Sequence, residues 1–333
     1  DRVSTAVIIE NLRQQVDLSA KQLTSEVKSY GDLSLAAYLE QSGRSLEDVY
    51  RRNRTWTAVR RAAGFATAPA GPDEEVLLRR VHRFISADDT ERIDTWRAWL
   101  TQPAPPVVAD LSTREQRLAA MLLFTFWAKA GFATYEEGFD ELWRHPAVIA
   151  EIIEVLDLTR ERISHVPIGL DDARFADVPL WVHCRYSRDE LLAALGQANL
   201  QRRPSSDMQG VRFVHDLNAD VFTFTLQKAE RNYSPTTMYR DYAISPELVH
   251  WETQNKTSTT SSEGLRYLNH VERDVKVLLF ARESNDDSIG TRSFLFLGEA
   301  THVSHQGDRP VAIVWKLTHP MPADFFSVAR VAG

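Results

Sequence analysis

The chain has 333 residues, 43% of them hydrophobic and 26% charged, with 46 acidic against 39 basic residues for a net charge of −7. At roughly 100 to 200 residues per domain this is a multidomain, water-soluble composition, and no run approaches the roughly 18 apolar residues of a membrane span. The acidic balance excludes a uniformly basic nucleic-acid coat, so any phosphate contact must be local.

A single cysteine, Cys184, rules out an intramolecular disulfide and a cysteine-built zinc site and points to a reducing, cytoplasmic setting. The chain starts at Asp1, and "DRVSTAVIIENLRQQV" lacks the layout of a secretory signal, so it reads as a piece of a longer protein.

From Ser4 to Gly64 apolar residues recur at helical steps: Val7, Ile8, Leu12 and Val16, then Leu35, Tyr38 and Leu39. "SGRSLEDVYRRNRTWTAVRRAAGF" predicts two short helices, with Ser45 capping the first and Gly64 stopping the second. "ATAPAGPDEE" has the composition of a linker. Helical patterns resume in "EVLLRRVHRFI", "DDTERIDTWRAWL", "TREQRLAAMLLFTFWA" and "PAVIAEIIEVLDLTRERI", with Asp110 or Ser112 as the cap of the third. Beyond "DDARFADVP" the pattern turns to strands: "LWVHC", "VRFVH", "VFTFTLQ", "VKVLLFARE", "RSFLFLGEATHV" and "VAIVWKL", with one capped helix in "SRDELLAALG". These divisions predict a helical connector over 1–67, a helical bundle over 73–178 and a β-rich unit over 179–333.

The phosphate-loop, dinucleotide, nucleophile-elbow and metalloprotease motifs are all missing, so no catalytic residue, metal or cofactor is assigned. "HDLNADVFTFTLQKAE" offers Asp216, Asp220, Lys228 and Glu230 for a metal-dependent nuclease, yet Leu226 stands where that pattern needs a carboxylate. His302 and His305 lack a third ligand, and Cys184 reads as a small core residue.

Two stretches remain as candidate nucleic-acid contacts. "YRRNRTWTAVRR" gathers Arg51, Arg52, Arg54, Arg60 and Arg61 with no acid among them; it resembles the short helix-turn-helix repeats associated with homing endonucleases, which implies a phosphate contact, while a solvated face is the plainer alternative. "NYSPTTMYRDYAISPELVHWETQNKTSTTSSEGLRYLNH" supplies rings and two-way hydrogen-bonding groups of the kind that hold an unstacked base. There Tyr239, Trp251 and Tyr267 would stack, and His250, Gln254, Ser258 and Thr259 would read base edges. Arg240 and Arg266 add to the phosphate contacts. A long polar connection between strands, anchored by Trp251 in the core, explains the same residues.

"CRYSRDELLAALG", the run from Asn218 to His270, "VLLFARE" and "FLFLGEATHVSHQGDRPVAIVWKLTHPMPADFF" together resemble the C-terminal domain of bacterial DEAD/DEAH-box helicase-like proteins that often carry a phospholipase D-like nuclease module. The resemblance implies a place downstream of an ATP-driven motor in a DNA-processing or restriction-type defence protein, with that motor and nuclease as partners in the parent chain. A looser likeness, in "HWETQ", the Ser/Thr run and "EGLRYLNH", is to SRA-like and PUA-like readers of modified bases. It implies an α+β chain whose last unit is a curved sheet or barrel that reads a modified or flipped base. A scaffolding module without DNA affinity and a metal-dependent nuclease stand as alternatives.

Overall fold

The computed structural model describes residues 20–127, 132–200, 210–226 and 241–330. The stretch before Ala20, with Val7, Ile8, Leu12 and Val16, lies outside them.

The first helices are α1 (Ala20–Tyr30), α2 (Leu35–Ser42), α3 (Leu46–Tyr50) and α4 (Trp56–Ala63). Ser34, Ser45 and Thr55 accept from first-turn backbone N–H groups of α2, α3 and α4, and Gly64 ends α4 at φ 89°, where a Cβ would be strained. Next come α5 (Glu74–Leu78), a 3-10 segment (Val81–Ser86), α6 (Thr90–Leu100), α7 (Thr113–Phe126), α8 (Tyr135–Trp143) and α9 (Pro146–Arg162). Ser112, not Asp110, caps α7, in a reciprocal box with Glu115.

The sheet strands are β1 (Arg185–Tyr186), β2 (Val211–Val214), β3 (Ala219–Thr225), β4 (Tyr242–Ser245), β5 (Leu248–Glu252), β6 (Lys276–Arg282), β7 (Phe294–Gln306) and β8 (Ala312–Leu317). Helix α10 (Arg188–Ala194) follows β1, α11 (Ser262–Leu268) follows β5, and α12 (Ala323–Ala329) follows β8. The spatial order is β2-β3-β6-β7-β8-β5-β4, with β1 paired to β7 off this path. β3 and β6 run parallel, and every other named pair is antiparallel.

This order corrects the expected PUA-like or SRA-like curved sheet or barrel. The helical region followed by a mixed sheet is present, but among the described residues the path ends at β2 on one side and β4 on the other, and the sheet is neither closed nor strongly curled. Alternation and apolar runs set which face of a strand is buried; they do not set whether the first and last strands meet.

Both faces of the central strands are covered. Val221, Leu278 and Phe280 join a core that begins at Leu23 and runs through the helical layer, while Phe222, Val277 and Leu279 join a second core with Trp251, Tyr267 and Trp315. Side chains from all three expected units enter the first core. Arg92, fully buried on α6, ties helices to sheet: it pairs with Asp89 at 2.9 Å and with Glu190 of α10 at 2.6 Å, donates to the Arg185 carbonyl, and lies 4.6 Å over the Tyr186 ring. A buried cation is tolerated only when paired and bonded in this way.

Candidate functional site

The parallel pair places β3 and β6 with their carboxyl ends together, the position where open sheets with parallel strands commonly offer a crevice. Thr225 ends β3 and Arg282 ends β6, and a cleft of about 660 Å³ opens beside them. The Arg282 guanidinium donates to three oxygens: Nε to Thr225 Oγ1 at 3.0 Å, one terminal nitrogen to Asn285 Oδ1 at 2.8 Å, and the other to the Arg292 carbonyl at 3.3 Å. It also lies 4.5 Å over the Phe294 ring. Arg83 from the 3-10 segment, Arg188 at the start of α10 and Arg292 before β7 line the same cleft. Asp241 and Glu252, from the β4–β5 hairpin, line it too, and Asp189 lies beside Arg188.

A second cleft of about 390 Å³ shares Val211, Trp251 and Gln254 with the first. Here four residues expected to contact nucleic acid, Trp251, Gln254, Arg266 and Tyr267, come together with Lys256 and the exposed His215. Their roles differ from those expected. Trp251 is 4% exposed and stacks on Phe222 at 4.4 Å and 8°, and Tyr267 is 3% exposed with its ring edge-on to both. Arg266 forms a two-pronged pair with the fully buried Asp220, at 2.7 and 2.9 Å, and lies 4.3 Å over the half-buried Phe213. Burial pushes the Asp220 carboxyl up, and the bonds from Arg266 pull it back down.

The other expected base contacts lie elsewhere. His250 is next to Trp251 on β5 and therefore points to the opposite face, where it stacks on Tyr242 at 4.7 Å. Ser258 is buried in the turn that starts α11: its backbone N–H and hydroxyl both bond Ser261, and its carbonyl lies so close to Gly264 that a Cβ there would sit 1.9 Å from it. Thr259 donates its backbone N–H and hydroxyl to Asp308. Tyr239, Arg240, Lys228 and Glu230 lie outside the described residues.

Three arginines of the run at α3 and α4 are spent on the fold. Arg54 donates to the carbonyls of Asp48 and Val49, Arg60 pairs with Asp32, and Arg61 pairs with Glu74. The start of α4, which a DNA-reading helix would present to a groove, is plugged from within. Glu151 of α9, 2% exposed, accepts from the Trp56 and Thr57 backbone N–H groups at 2.7 and 2.8 Å and from the Tyr50 hydroxyl at 2.7 Å. One turn on, Glu154 accepts from the Leu35 N–H at 2.6 Å and plugs α2 in the same way. Arg51 is half-buried, and Arg52 is exposed at φ 60°.

Among the described residues no group of three or more histidine, cysteine, aspartate or glutamate side chains could hold a metal. Asp216 is exposed on a 3-10 turn and Asp220 is held by Arg266, so these two carboxylates are not gathered. His302 and His305 contact each other at 3.2 Å. Cys184 is fully buried 3.3 Å from His165, and burial pushes its thiol up, away from the reactive thiolate.

The cationic residues of the larger cleft carry no joint mark in the sequence because they come from three separate stretches. The one local signal was a charged residue, Arg282, closing the apolar run "VKVLLFA" of a strand buried on both faces.

Residues 180–329 match a family model described as a domain of unknown function, DUF3427. The match takes in all eight strands and α10 to α12, and so both clefts apart from Arg83. It names no activity and makes no connection to a helicase motor or a nuclease. No curated protein matches the chain. Among the described residues no helix is long and apolar enough to cross a membrane.

Proposed function

We propose that this chain binds nucleic acid and serves as a target-recognition region of a helicase-like DNA-processing protein, with a base held in the smaller cleft. The observation that carries the reading is the convergence there of Gln254, Lys256, His215 and the Arg266–Phe213 stack over a floor of Trp251 and Tyr267. An amide offers a donor and an acceptor to a base edge, and a half-buried ring under a guanidinium presents a flat surface of the sort on which bases stack. Lys256, exposed at the rim, can meet a phosphate. The helicase connection rests on the resemblance of residues 179 to 328 to helicase-associated domains; the nucleic-acid reading rests on the cleft.

Fluorescence anisotropy with single- and double-stranded oligonucleotides over a salt series tests it. Binding should weaken as salt rises, with a log–log slope near one per phosphate contacted, and Lys256→Ala should lower that slope by about 1. Gln254→Ala should weaken binding by roughly 1 to 3 kcal/mol and alter base preference. Absence of binding at low salt, or salt-independent association with a protein partner instead, would discard the reading in favour of a scaffolding role.

A further inference from the structure

We propose that the larger cleft is a seat for the terminal phosphate of a nucleic-acid strand, with the arginines of the helical layer and of the β6–β7 connection as its ligands. This deepens the nucleic-acid reading and rests on it for the strand, though not for the phosphate.

Unspent donors face this cleft. Arg83 makes no hydrogen bond or ion pair through its guanidinium among the described residues. Among the described residues Arg188 has only a loose contact with Asp189, at 3.8 Å, and its Nε is buried without a hydrogen-bond partner. Arg292 approaches Glu283 at 3.3 Å through one terminal nitrogen, and its Nε is likewise buried without a partner. A buried donor lacking an acceptor is costly, and two such Nε groups, those of Arg188 and Arg292, belong to residues that line this one space. Ligand oxygens would satisfy them together. Arg282 supplies a fourth guanidinium whose plane is already fixed by Thr225, Asn285 and the Phe294 ring, so its fork is oriented before a ligand arrives.

The carboxylates decide which anion fits. Asp241 and Glu252 occupy the hairpin side, and the Asp241 carboxylate accepts the Glu252 backbone N–H at 3.1 Å. A polynucleotide threading the cleft would have to carry its internal phosphodiesters past these two acids. A strand entering end-on avoids them: its terminal phosphate, with about −1.5 to −2 charge and three oxygens, meets the arginine wall. The N–H groups of its base can face the carboxylates. The two clefts share Trp251, Gln254 and Val211, so the nucleotide that follows is directed into the smaller one.

The test uses the whole chain and three oligonucleotides of one sequence, carrying a 5′-phosphate, a 3′-phosphate or hydroxyls at both ends, at one fixed salt concentration. One phosphorylated strand should bind about ten- to a hundredfold more tightly than the hydroxyl-ended one, the increment of one or two charge-assisted bonds. Arg83→Ala and Arg292→Ala should each bring the phosphorylated strand down towards the hydroxyl-ended affinity, with Arg188→Ala as a further variant should either fail to fold. Equal affinity for all three strands overturns the proposal while leaving nucleic-acid binding intact. Equal losses for all three strands in the variants overturn it too, because the arginines would then serve internal phosphates. A calorimetric titration with inorganic phosphate separates the two ideas: weak binding that disappears in Arg83→Ala supports the seat even if no strand binds, and no heat in the wild type, with no effect of end phosphorylation, sinks it.

Discussion

Two arginine-rich regions of this molecule use the same side chain to opposite ends. At α3 and α4, Arg54, Arg60 and Arg61 fall within eight residues of sequence and end on backbone carbonyls and carboxylates of their own neighbourhood. At the larger cleft, Arg83, Arg188 and the pair Arg282 and Arg292 come from three distant stretches and converge on one space. Charge crowded in sequence is thus charge consumed locally, because short helices leave many carbonyls for nearby guanidinia to cap. At this cleft the charge assembled by topology remains for a ligand, whereas Arg92 and Arg266, also paired across the fold, are consumed by Glu190 and Asp220.

If α4 is a structural element, its plug must be indispensable: Glu151→Ala leaves two backbone N–H groups and the Tyr50 hydroxyl without an acceptor in a sealed interior. The expected loss is roughly 3 to 6 kcal/mol. Urea unfolding measures it, and a loss under about 1 kcal/mol would mean the start of α4 is free to open towards a partner after all.

Trp251 follows. Its ring stacks on Phe222 inside the second core, so Trp251→Ala should cost about 3 to 5 kcal/mol of stability, as large-to-small changes of buried rings do. A variant that keeps its unfolding midpoint yet loses oligonucleotide binding would return this ring to the role of a stacking wall.

Much of the helical layer was legible, since Ser45 and Gly64 announce their caps and the apolar spacing of α6, α7 and α9 is strong. The stretch from Asp241 to His270 was not. Read as a polar connection or a recognition loop, it is a hairpin followed by a helix: Ala243, Val249 and Trp251 point inward between half-buried or exposed neighbours, and Ser261 caps α11. Its strands are short and one is at the edge of the sheet, so their alternation covers too few residues to stand out from a run rich in hydroxyls. Sheet closure left no local mark at all. Of the residues named for binding, Trp251, Gln254, Arg266 and Tyr267 meet because the turn after β5 and helix α11 bring them beside β2, a consequence of tertiary packing.

A smaller effect tests how the hairpin region is wired to the sheet. His270 is buried, its Nδ1 3.0 Å from the Val275 carbonyl while Nε2 accepts the His302 backbone N–H at 3.1 Å, and this second bond requires the neutral ring. Burial holds it below the usual imidazole value of about 6.5. The folded state then binds fewer protons than the unfolded one, so this stabilisation is present above the unfolded value and is lost as the pH falls towards the folded one. Urea midpoints between about pH 7.5 and about pH 5 should register a loss on the order of 1 kcal/mol, and His270→Gln should flatten that part of the profile. An unchanged profile would place the pH sensitivity in other groups.

The smallest expected effect on stability is the most telling for the comparison. Arg80, half-buried, donates to the Phe124 and Thr125 carbonyls at the end of α7, and it is pushed down to about 9, first by burial and then by the nearby charge of Arg83. Arg83→Ala removes that repulsion and breaks no bond among the described residues, so stability should change by less than about 0.5 kcal/mol, with a gain more natural than a loss. Arg54→Ala, by contrast, uncovers two carbonyls of α3 and should cost about 1 kcal/mol. Thermal unfolding of the two variants side by side measures this difference. A cation whose removal leaves the fold as stable as before, or more so, is not there for the fold, and that result would single out the cleft arginines as the ones available to a ligand.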